Sequence, residues 1–436
     1  MATLTLTLFC CILLGCVVLG LPTLCALLAG LLLFSGYGLY KRCTPRELLR
    51  MSLSGVRTAG GIMLMMALIG ALTALWRASG TIAVIICYAS GLIRPASLLL
   101  ITFLLNCAVS VLTGTSFGTV ATIGVICMTM ANAMHLNPLW SGGAILAGAF
   151  FGDRCSPIST SALLVCTLTH TDIFRNIRGM CRTVLFPFLI SCAVYLLVGL
   201  TSHPVENRVD VWGLFSSGFR LSWVCVLPAA AVLLLSLLRR PVLLTLSVSA
   251  ALAALLSVTV QGLAPGQLLR IVITGYEAAE PALAAMVNGG GVVSMLNVIG
   301  IILISSCYAG LFRGTGLLDG AKHAIDRLSR TVSPFGATMC TAVLACAISC
   351  NQTLATMLTH QLCGDLSPSP DDFAIDLEDT AIVIAPLIPW SIACSVPLTT
   401  LGAPTASILA ACLLYLLPLS RLLRSLQGKK KAETLA

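Results

Sequence analysis

The sequence predicts an all-α polytopic membrane protein, and three observations carry that prediction. Hydrophobic residues make up 58% of the 436-residue chain and charged residues only 9%. A soluble domain needs about a quarter charged residues to cover its surface, so lipid is the solvent this chain suits. The apolar residues fall into runs of the length that spans hydrocarbon, about 20 residues of helix. Prolines and carboxylates interrupt two of those runs. Irregular backbone at that depth is tolerated only where it lines protein or a water-filled cavity.

The apolar segments lie at roughly 4–20, 22–40, 58–76, 96–112, 118–134, 139–168, 183–201, 221–239, 242–260, 291–312, 334–349, 353–363, 378–395 and 405–420. The first two begin without a basic region and run past any cleavage site. They read as membrane helices rather than a signal peptide. The segment at 139–168 holds Asp153, Arg154 and Pro157, with Arg154 expected in a helix break. The segment at 378–395 holds Pro386 and Pro389. Both read as discontinuous helices, because proline removes a helix hydrogen bond. Leu317 to Ser329 carries Asp319, Lys322, His323, Asp326 and Arg327 and cannot span. It reads as an amphipathic helix on the membrane surface. Thr81 to Ile93 is its expected counterpart in the opposite interface.

Internal repetition organises these segments. Gly60 to Gly70 and Gly290 to Gly300 share five of eleven positions without a gap. Trp76-Arg77-Ala78-Ser79-Gly80 parallels Phe312-Arg313-Gly314-Thr315-Gly316, and Gly114-Thr115-Ser116-Phe117-Gly118-Thr119 parallels Asn351-Gln352-Thr353-Leu354-Ala355-Thr356. Three matches in one order point to a duplicated unit. The expected divisions are N-terminal helices and a basic loop at 1–57, a first repeat at 58–201, linking helices at 202–289, a second repeat at 290–420 and a basic tail at 421–436.

Charge sets the orientation. The net charge is +9, but the basic residues sit in short clusters between apolar runs. Such clusters read as cytoplasmic loops and not as a nucleic-acid surface. With the N-terminus inside, most of the 25 Lys and Arg residues fall on the inner side, including Arg57, Arg175, Arg240, Arg313, Arg421 and Lys429. The first repeat then begins inside at Arg57, and the second begins outside near Glu277 and Glu280. The repeats are therefore expected to be inverted, with a site at their interface. The 20 cysteines include no C-x-x-C pair. Most lie in apolar runs, as Cys87, Cys107 and Cys225 do, and read as core residues rather than disulfides or metal ligands.

Three constellations carry chemistry. In Gly152-Asp153-Arg154-Cys155-Ser156-Pro157-Ile158-Ser159-Thr160-Ser161 a carboxylate, hydroxyls and a proline interrupt an apolar run. Oxygen donors of this kind suit a small cation stripped of water, although pairing of Asp153 with Arg154 at a helix end is the competing structural reading. The second constellation joins Glu378, Asp379 and Thr380 to Pro386, Pro389 and Trp390. Glu378 and Asp379 also fit an interfacial helix N-terminus. The third is the pair of polar breaks at Thr115-Ser116 and Asn351-Gln352-Thr353, which equally fit helix packing through small residues. Gly114 to Gly118 matches G-x-S-x-G, but its flanks are apolar helices rather than the strand and turn of a hydrolase elbow. An enzyme is therefore not expected, and because no nucleotide motif occurs an ATP-driven pump is not expected either.

These segments resemble the NhaC-type sodium/proton antiporter family, within the larger ion transporter superfamily, from about Gly55 to Pro418. Gly114 to Thr119 is similar to the family's G-T-S-W-G-T, with Phe117 for tryptophan. Gly152 to Ser161 is similar to G-D-K/R-x-S-P-x-S-D-T, and Leu377-Glu378-Asp379 and Pro386 to Trp390 match L-E-D and P-L-I-P-W. Thr160 stands where the family usually has aspartate, and Cys350-Asn351-Gln352 where it often has G-D-Q. The resemblance implies a secondary transporter on an inverted-repeat fold with discontinuous helices and re-entrant or interfacial segments. It implies exchange of Na+ for H+ by alternating access, in a bacterial cytoplasmic membrane with both termini inside. Asp153 first and Asp379 second are the expected Na+ ligands. Ser156, Ser159, Thr160, Asn351, Gln352 and Thr353 are expected to line the site, with Thr115, Ser116, Glu378 and Trp390 beside it. No cofactor is expected beyond the transported ions. The expected partners are Na+ and H+ or a small organic solute, the lipid bilayer and a second copy of the chain. The alternative is a Na+- or H+-coupled carrier of a small organic acid or amino acid on the same fold.

Overall fold

The computed structural model describes residues 2–18, 22–90, 95–157, 159–201, 211–238, 240–280, 283–284, 287–317, 325, 328–329 and 331–435. Among the described residues there are helices and no β-strand, only an isolated bridge between Tyr276 and Gly289. Among the described residues, six helices are long and apolar enough to cross a membrane: Gly60–Ala78, Ala96–Thr113, Ser116–Ala133, Ile173–Thr201, Val242–Thr259 and Val292–Phe312. The pair Pro370–Leu387 and Ile392–Leu401, bent by 50°, makes a seventh if counted as one span. The chain is a polytopic α-helical membrane protein. Two expected spans are short apolar helices that end at breaks in the backbone, Thr160–Thr169 within 139–168 and Pro334–Ser349. Hydropathy measures how apolar a run is, whereas breaks in the backbone decide how far it reaches.

Ten helices position the site: α1 (Pro45–Ala78), α2 (Thr81–Ser90), α3 (Pro95–Thr113), α4 (Pro138–Cys155), α5 (Thr160–Thr169), α6 (Ile173–Thr201), α7 (Leu296–Thr315), α8 (Pro334–Ser349), α9 (Gln352–Cys363) and α10 (Cys412–Leu435). Helix α1 starts with a capping box. Thr44 accepts from the Glu47 amide at 3.3 Å, and the Glu47 carboxylate accepts from the Thr44 amide at 2.7 Å. The Glu47 carboxyl is held below its usual range by those backbone and hydroxyl donors. At 1.5 Å per residue α1 is about 50 Å long, well beyond the roughly 30 Å hydrocarbon layer. Its charged first turns, with Arg46, Glu47, Arg50 and Arg57, therefore extend past the apolar span that begins at Gly60.

Small residues let these helices touch backbone to backbone. A Cβ added to Gly55 would lie 1.9 Å from the Ser306 carbonyl oxygen, and one on Gly310 would lie 1.9 Å from that of Met51. This reciprocal pair fixes α1 against α7, the close approach that glycine permits between membrane helices. Helix α4 meets α3 in the same way. A Cβ on Gly148 would lie 2.7 Å from the Phe103 carbonyl oxygen, and one on Gly152 would lie 2.2 Å from the Ser110 carbonyl carbon. The Ser110 hydroxyl donates to the Ala149 carbonyl across this contact.

Two expectations are corrected. Thr81 to Ile93 is not interfacial over its described part. Ile82, Ala83, Val84, Ile86 and Cys87 of α2 are all buried, because a helix that is apolar all round has no face to offer water. The amphipathic segment Leu317 to Ser329 falls mostly outside the described residues, although Ile325 is buried. The pairing of Gly60 to Gly70 with Gly290 to Gly300 does not mark equivalent positions. Gly60 and Gly61 lie within α1, whereas Gly290 and Gly291 have φ of 76° and 87° in the turn before α7. The two stretches instead touch, with the Gly291 amide donating to the Gly70 carbonyl at 2.7 Å.

Similar backbone landmarks nevertheless recur along the two stretches. Gly80 and Gly316 are left-handed residues after α1 and α7, with φ of 75° and 61°. At the same spacing along the chain, Gly114 (φ 65°) and Cys350 (φ 55°) are left-handed residues after α3 and α8. Next come the N-caps Thr115 and Asn351, both extended. Asn351 therefore corresponds to Thr115, one position away from the match that residue identity suggests. A slightly shorter spacing relates Asn137-Pro138 to Ser369-Pro370 at helix starts, Pro157 to Pro389 at the breaks, the N-caps Ser159 and Ser391, and left-handed His170 to Gly402.

The α3–α4 contact generates a stability test. Gly152→Leu forces backbone apart and should abolish recovery of monodisperse protein in detergent. Gly61→Leu, where no atom lies within 4 Å of an added Cβ, should leave recovery and melting temperature unchanged in size-exclusion and thermal-shift measurements.

Candidate functional site

The site forms where α4 ends. Ser156 caps that end, its hydroxyl donating to the Val111 carbonyl of α3 at 2.7 Å. Pro157 follows, and the chain restarts at Ser159, the N-cap of α5, whose hydroxyl oxygen accepts from the Ser161 amide at 3.2 Å and the Ala162 amide at 3.3 Å. The break leaves Asp153 on the last turn of α4, facing the first turn of α5. Its carboxylate accepts from the Ser159 hydroxyl at 3.3 Å and the Ser161 hydroxyl at 3.2 Å. A third donor comes from the other half of the chain, the Gln352 amide nitrogen at 3.2 Å, which also donates to the Ile382 carbonyl at 3.1 Å. Gln352 can reach both because left-handed Cys350 and the Asn351 cap turn α9 sharply away from α8.

The second wall is an irregular turn. Helix Pro370–Leu377 widens into a π-helical turn over Glu378–Ile382 and breaks again at Pro386 to Pro389. Such widened turns free backbone groups and are frequent at functional sites. Trp390 anchors the break, its indole N–H donating to the Ala347 carbonyl of α8 at 2.8 Å. The Ile392 amide donates to the Cys350 carbonyl at 2.9 Å, so the two breaks of the second half satisfy each other.

Charges converge between these walls. Arg154, 1% exposed, forms an ion pair with Asp379, 0% exposed. The Arg154 guanidinium also donates to the Thr183 hydroxyl at 2.7 Å and to the Met180 carbonyl at 3.3 Å, both on α6. The other Asp379 oxygen lies 3.1 Å from Nε of Arg421 on α10, a charge contact without hydrogen-bond alignment. Arg421 in turn donates to Asp376 at 2.6 Å. Glu378 is completely buried, and among the described residues neither of its carboxylate oxygens has a hydrogen-bond partner, although Arg154 lies close enough to act on its charge.

This arrangement sorts the expected residues. Asp153, Ser159 and Gln352 come together. Glu378 and Asp379 share their turn, and Asp379 is engaged by two arginines. Arg154 lies on the last turn of α4 rather than in the break, and its partner is Asp379, not Asp153. Ser156 and Asn351 act as structural caps, and Thr160 and Thr353 are exposed. Thr115 caps its own helix and faces a separate small cavity beside Thr113, Ser236, Arg240 and Thr245; Ser116 is buried and makes no hydrogen bond to the Asp153 cluster. Thr183, Asp376 and Arg421 were not legible as site residues. Arg421 looked like one more cytoplasmic charge, and only its position after the apolar run 405–420 hinted otherwise.

The Arg154–Asp379 pair has a measurable consequence. Asp379→Asn removes the ion-pair partner of buried Arg154 and should cost about 3–5 kcal/mol, whereas Arg154→Gln, which leaves Asp379 its contact with Arg421, should cost less. The double variant should cost less than the sum of the two. Denaturant or thermal unfolding in one detergent, analysed as a double-mutant cycle, checks the coupling.

Known proteins place this cluster in context. The model of the Na+/H+ antiporter family matches residues 23–200 and 164–423. A Na(+)/H(+) antiporter NhaC of Alkalihalophilus pseudofirmus is 27% identical over 90% of this chain and 87% of its own length. The Na(+)/H(+) antiporter NhaC of Bacillus subtilis is 28% identical, covering 80% of each chain. A malate-2H(+)/Na(+)-lactate antiporter of Bacillus subtilis is 26% identical over 77% of this chain and 74% of its own. Both broken helices and every charge of the cluster lie within the matched residues, and on that match this polytopic chain belongs to the Na+/H+ antiporter family.

Proposed function

We propose that the chain is a secondary active transporter that exchanges Na+ for H+ across a bacterial cytoplasmic membrane, with Asp153 as the carboxylate that receives the cation. The observation that carries this reading is the set of oxygens around Asp153. Its carboxylate, the Ser159 and Ser161 hydroxyls, the Gln352 amide and the Ile382 carbonyl meet at the crossing of two broken helices. Hydroxyls and a side-chain amide can turn their oxygens toward a small cation. They then replace its water with fixed dipoles, as half-helix ends and unwound carbonyls do in secondary transporters. A carboxylate binds either Na+ or H+, and that competition couples the two flows without ATP. Membership of an antiporter family supports a transporter rather than an enzyme.

The two halves, 58–201 and 290–420, would form inverted repeats that rock about the Asp153 cluster, preceded by the helices and basic loop of 1–57, joined by 202–289 and followed by the tail at 421–436. Both termini would be cytoplasmic, as the distribution of basic loops implies. Cysteines introduced at Thr44 and Gly266 in a low-cysteine background should label from opposite sides of intact cells. Labelling of both from one side would remove the inverted arrangement.

Transport tests the main reading. Purified protein in liposomes should acidify or alkalinise the lumen when a Na+ gradient is imposed, with no other solute present. Asp153→Asn should reduce that flux to the level of empty liposomes while preserving the size-exclusion profile. Retention of the original rate would make Asp153 structural.

A second reading is favoured by the similarity to a lactate and malate antiporter. Here Na+ or H+ movement would be coupled to a small organic acid or amino acid. Liposomes without organic solute separate the two: if a proton gradient moves no Na+ until a carboxylate or amino acid is added, this second reading holds.

A further inference from the structure

Arg77 carries a charge that neither reading of transport employs. It lies on the last turn of α1, at the far end from that helix's charged first turns, and is 7% exposed. A guanidinium keeps its proton in a protein, so burial cannot neutralise it. Its one hydrogen bond among the described residues runs from Nη1 to the Thr73 carbonyl at 3.2 Å, and Nε is enclosed without a partner. The ion pairs among the described residues belong to Arg154, Arg175 and Arg421. The C-terminal carbonyls of α1 offset part of the charge, roughly half a unit for a helix end. The edge formed by Nε and Nη2 stays free. It is the kind of edge on which a carboxylate accepts two parallel hydrogen bonds.

The glycine turn before α7 leaves a space against this guanidinium. Gly289, Gly290 and Gly291 have φ of 125°, 76° and 87°. A Cβ on Gly290 would lie 2.6 Å from the Ala74 amide nitrogen, and one on Gly291 would lie 2.4 Å from that of Gly275, so packing fills both positions. A Cβ on Gly289 would meet only Arg77, with Cζ and Nη2 each 3.9 Å away. That is ordinary van der Waals contact, so there is room for an added atom beside the guanidinium, at a glycine that is itself exposed. Gly289 exchanges two backbone hydrogen bonds of 3.0 Å with Tyr276. Tyr276 and Gly275 in turn line a cavity of about 420 Å³ with Arg270, Thr274, Glu277 and Glu280. Both acids are exposed, and Glu280 accepts from the Ser217 hydroxyl at 2.8 Å.

We propose that Arg77 and the turn at Gly289 bind the carboxylate of a small organic acid, with the body of the acid directed to the cavity beside Tyr276. One carboxylate oxygen occupies the space over Gly289 and accepts from Nη2, which supplies the counter-charge that the described side chains do not. The cavity carries two acids against the single Arg270, so it repels a second carboxylate and favours a monocarboxylate or an amino acid over a dicarboxylate. The site is separate from the Asp153 cluster. It holds whether that cluster exchanges Na+ for H+ alone or couples Na+ to an organic solute.

The test uses the full chain in detergent at fixed Na+ concentration and ionic strength, with L-lactate as the probe. L-lactate should raise the melting temperature in a saturable way. Chloride and methyl lactate, which lacks the charge, should not, and L-malate should bind more weakly. Arg77→Lys keeps the charge but loses the planar edge and should weaken L-lactate binding about tenfold or more, and Arg77→Gln should abolish it. Equal stabilisation by chloride overturns the proposal, as does tighter binding of L-malate or unchanged L-lactate affinity in Arg77→Gln. Modification of the unaltered protein by phenylglyoxal, read by mass spectrometry, covers the case in which neither variant folds. L-lactate should slow modification of Arg77 and leave exposed Arg220 unaffected. The same rate at Arg77 with and without L-lactate overturns the proposal. These readouts are of binding, so a failure of the antiport reading in flux measurements leaves them interpretable.

Discussion

An arginine with 1% exposure in a chain this apolar demands a counter-charge, and the arrangement of the site follows from that demand. Arg154 sits on the last turn of a helix that glycines press against its neighbour, so it cannot swing out to a membrane surface. Its charge is met by Asp379, and meeting it requires a carboxylate at the same depth on another element. The π-helical turn at Glu378–Ile382 places Asp379 there. Arg421 and Asp376 continue the alternation of charge toward α10, where both are partly exposed. The chain of charges ties together α4, α6, the broken helix of the second half and α10. None of these contacts is local in sequence. The pair alone contributes little net stability, because desolvation of both ions offsets most of their attraction. It fixes which elements must meet.

Broken helices are the second constraint. Each break exposes backbone groups that lipid cannot satisfy. Here they are satisfied by side chains and by one another: Ser159 caps α5, Asn351 caps α9, and the Ile392 amide reaches the Cys350 carbonyl. A further break, near Ala411 before α10, is closed by Tyr195, whose hydroxyl donates to the Ala410 carbonyl at 2.8 Å and accepts from the Cys412 amide at 3.2 Å. Half-helix ends can therefore face a common polar volume without leaving unpaired backbone in hydrocarbon.

The two halves share backbone landmarks but not chemistry. At the positions related by Pro157 and Pro389, Asp153 and Arg154 correspond to Ala385 and Pro386. Around Gly114 and Cys350, Ser116 corresponds to Gln352. The charged residues differ between the two halves. One half supplies Asp153 and Arg154, and the other answers with Gln352, Glu378 and Asp379. The charge distribution is therefore asymmetric between the two halves.

Composition by itself determined that this chain folds in lipid as helices, since so few charges cannot cover a water-exposed surface. Proline and carboxylate within apolar runs located both discontinuous helices and singled out Asp153. Family resemblance followed from short segments that lie at those breaks. Which acid faces which partner was not legible. Asp379, expected to bind an ion, pairs with arginines; Glu378, readable either as a site residue or as an interfacial one, is fully buried; and Arg421, which looked like a loop charge, reaches Asp379. Residue identity also misplaced the repeat by one position at Asn351 and misread Gly290 and Gly291, because glycine serves both helix packing and left-handed turns. Periodicity and composition report the solvent around a residue. The partner of a buried charge is set by contacts between residues up to 225 positions apart, as in Arg154 and Asp379, and only the packed helices bring those together.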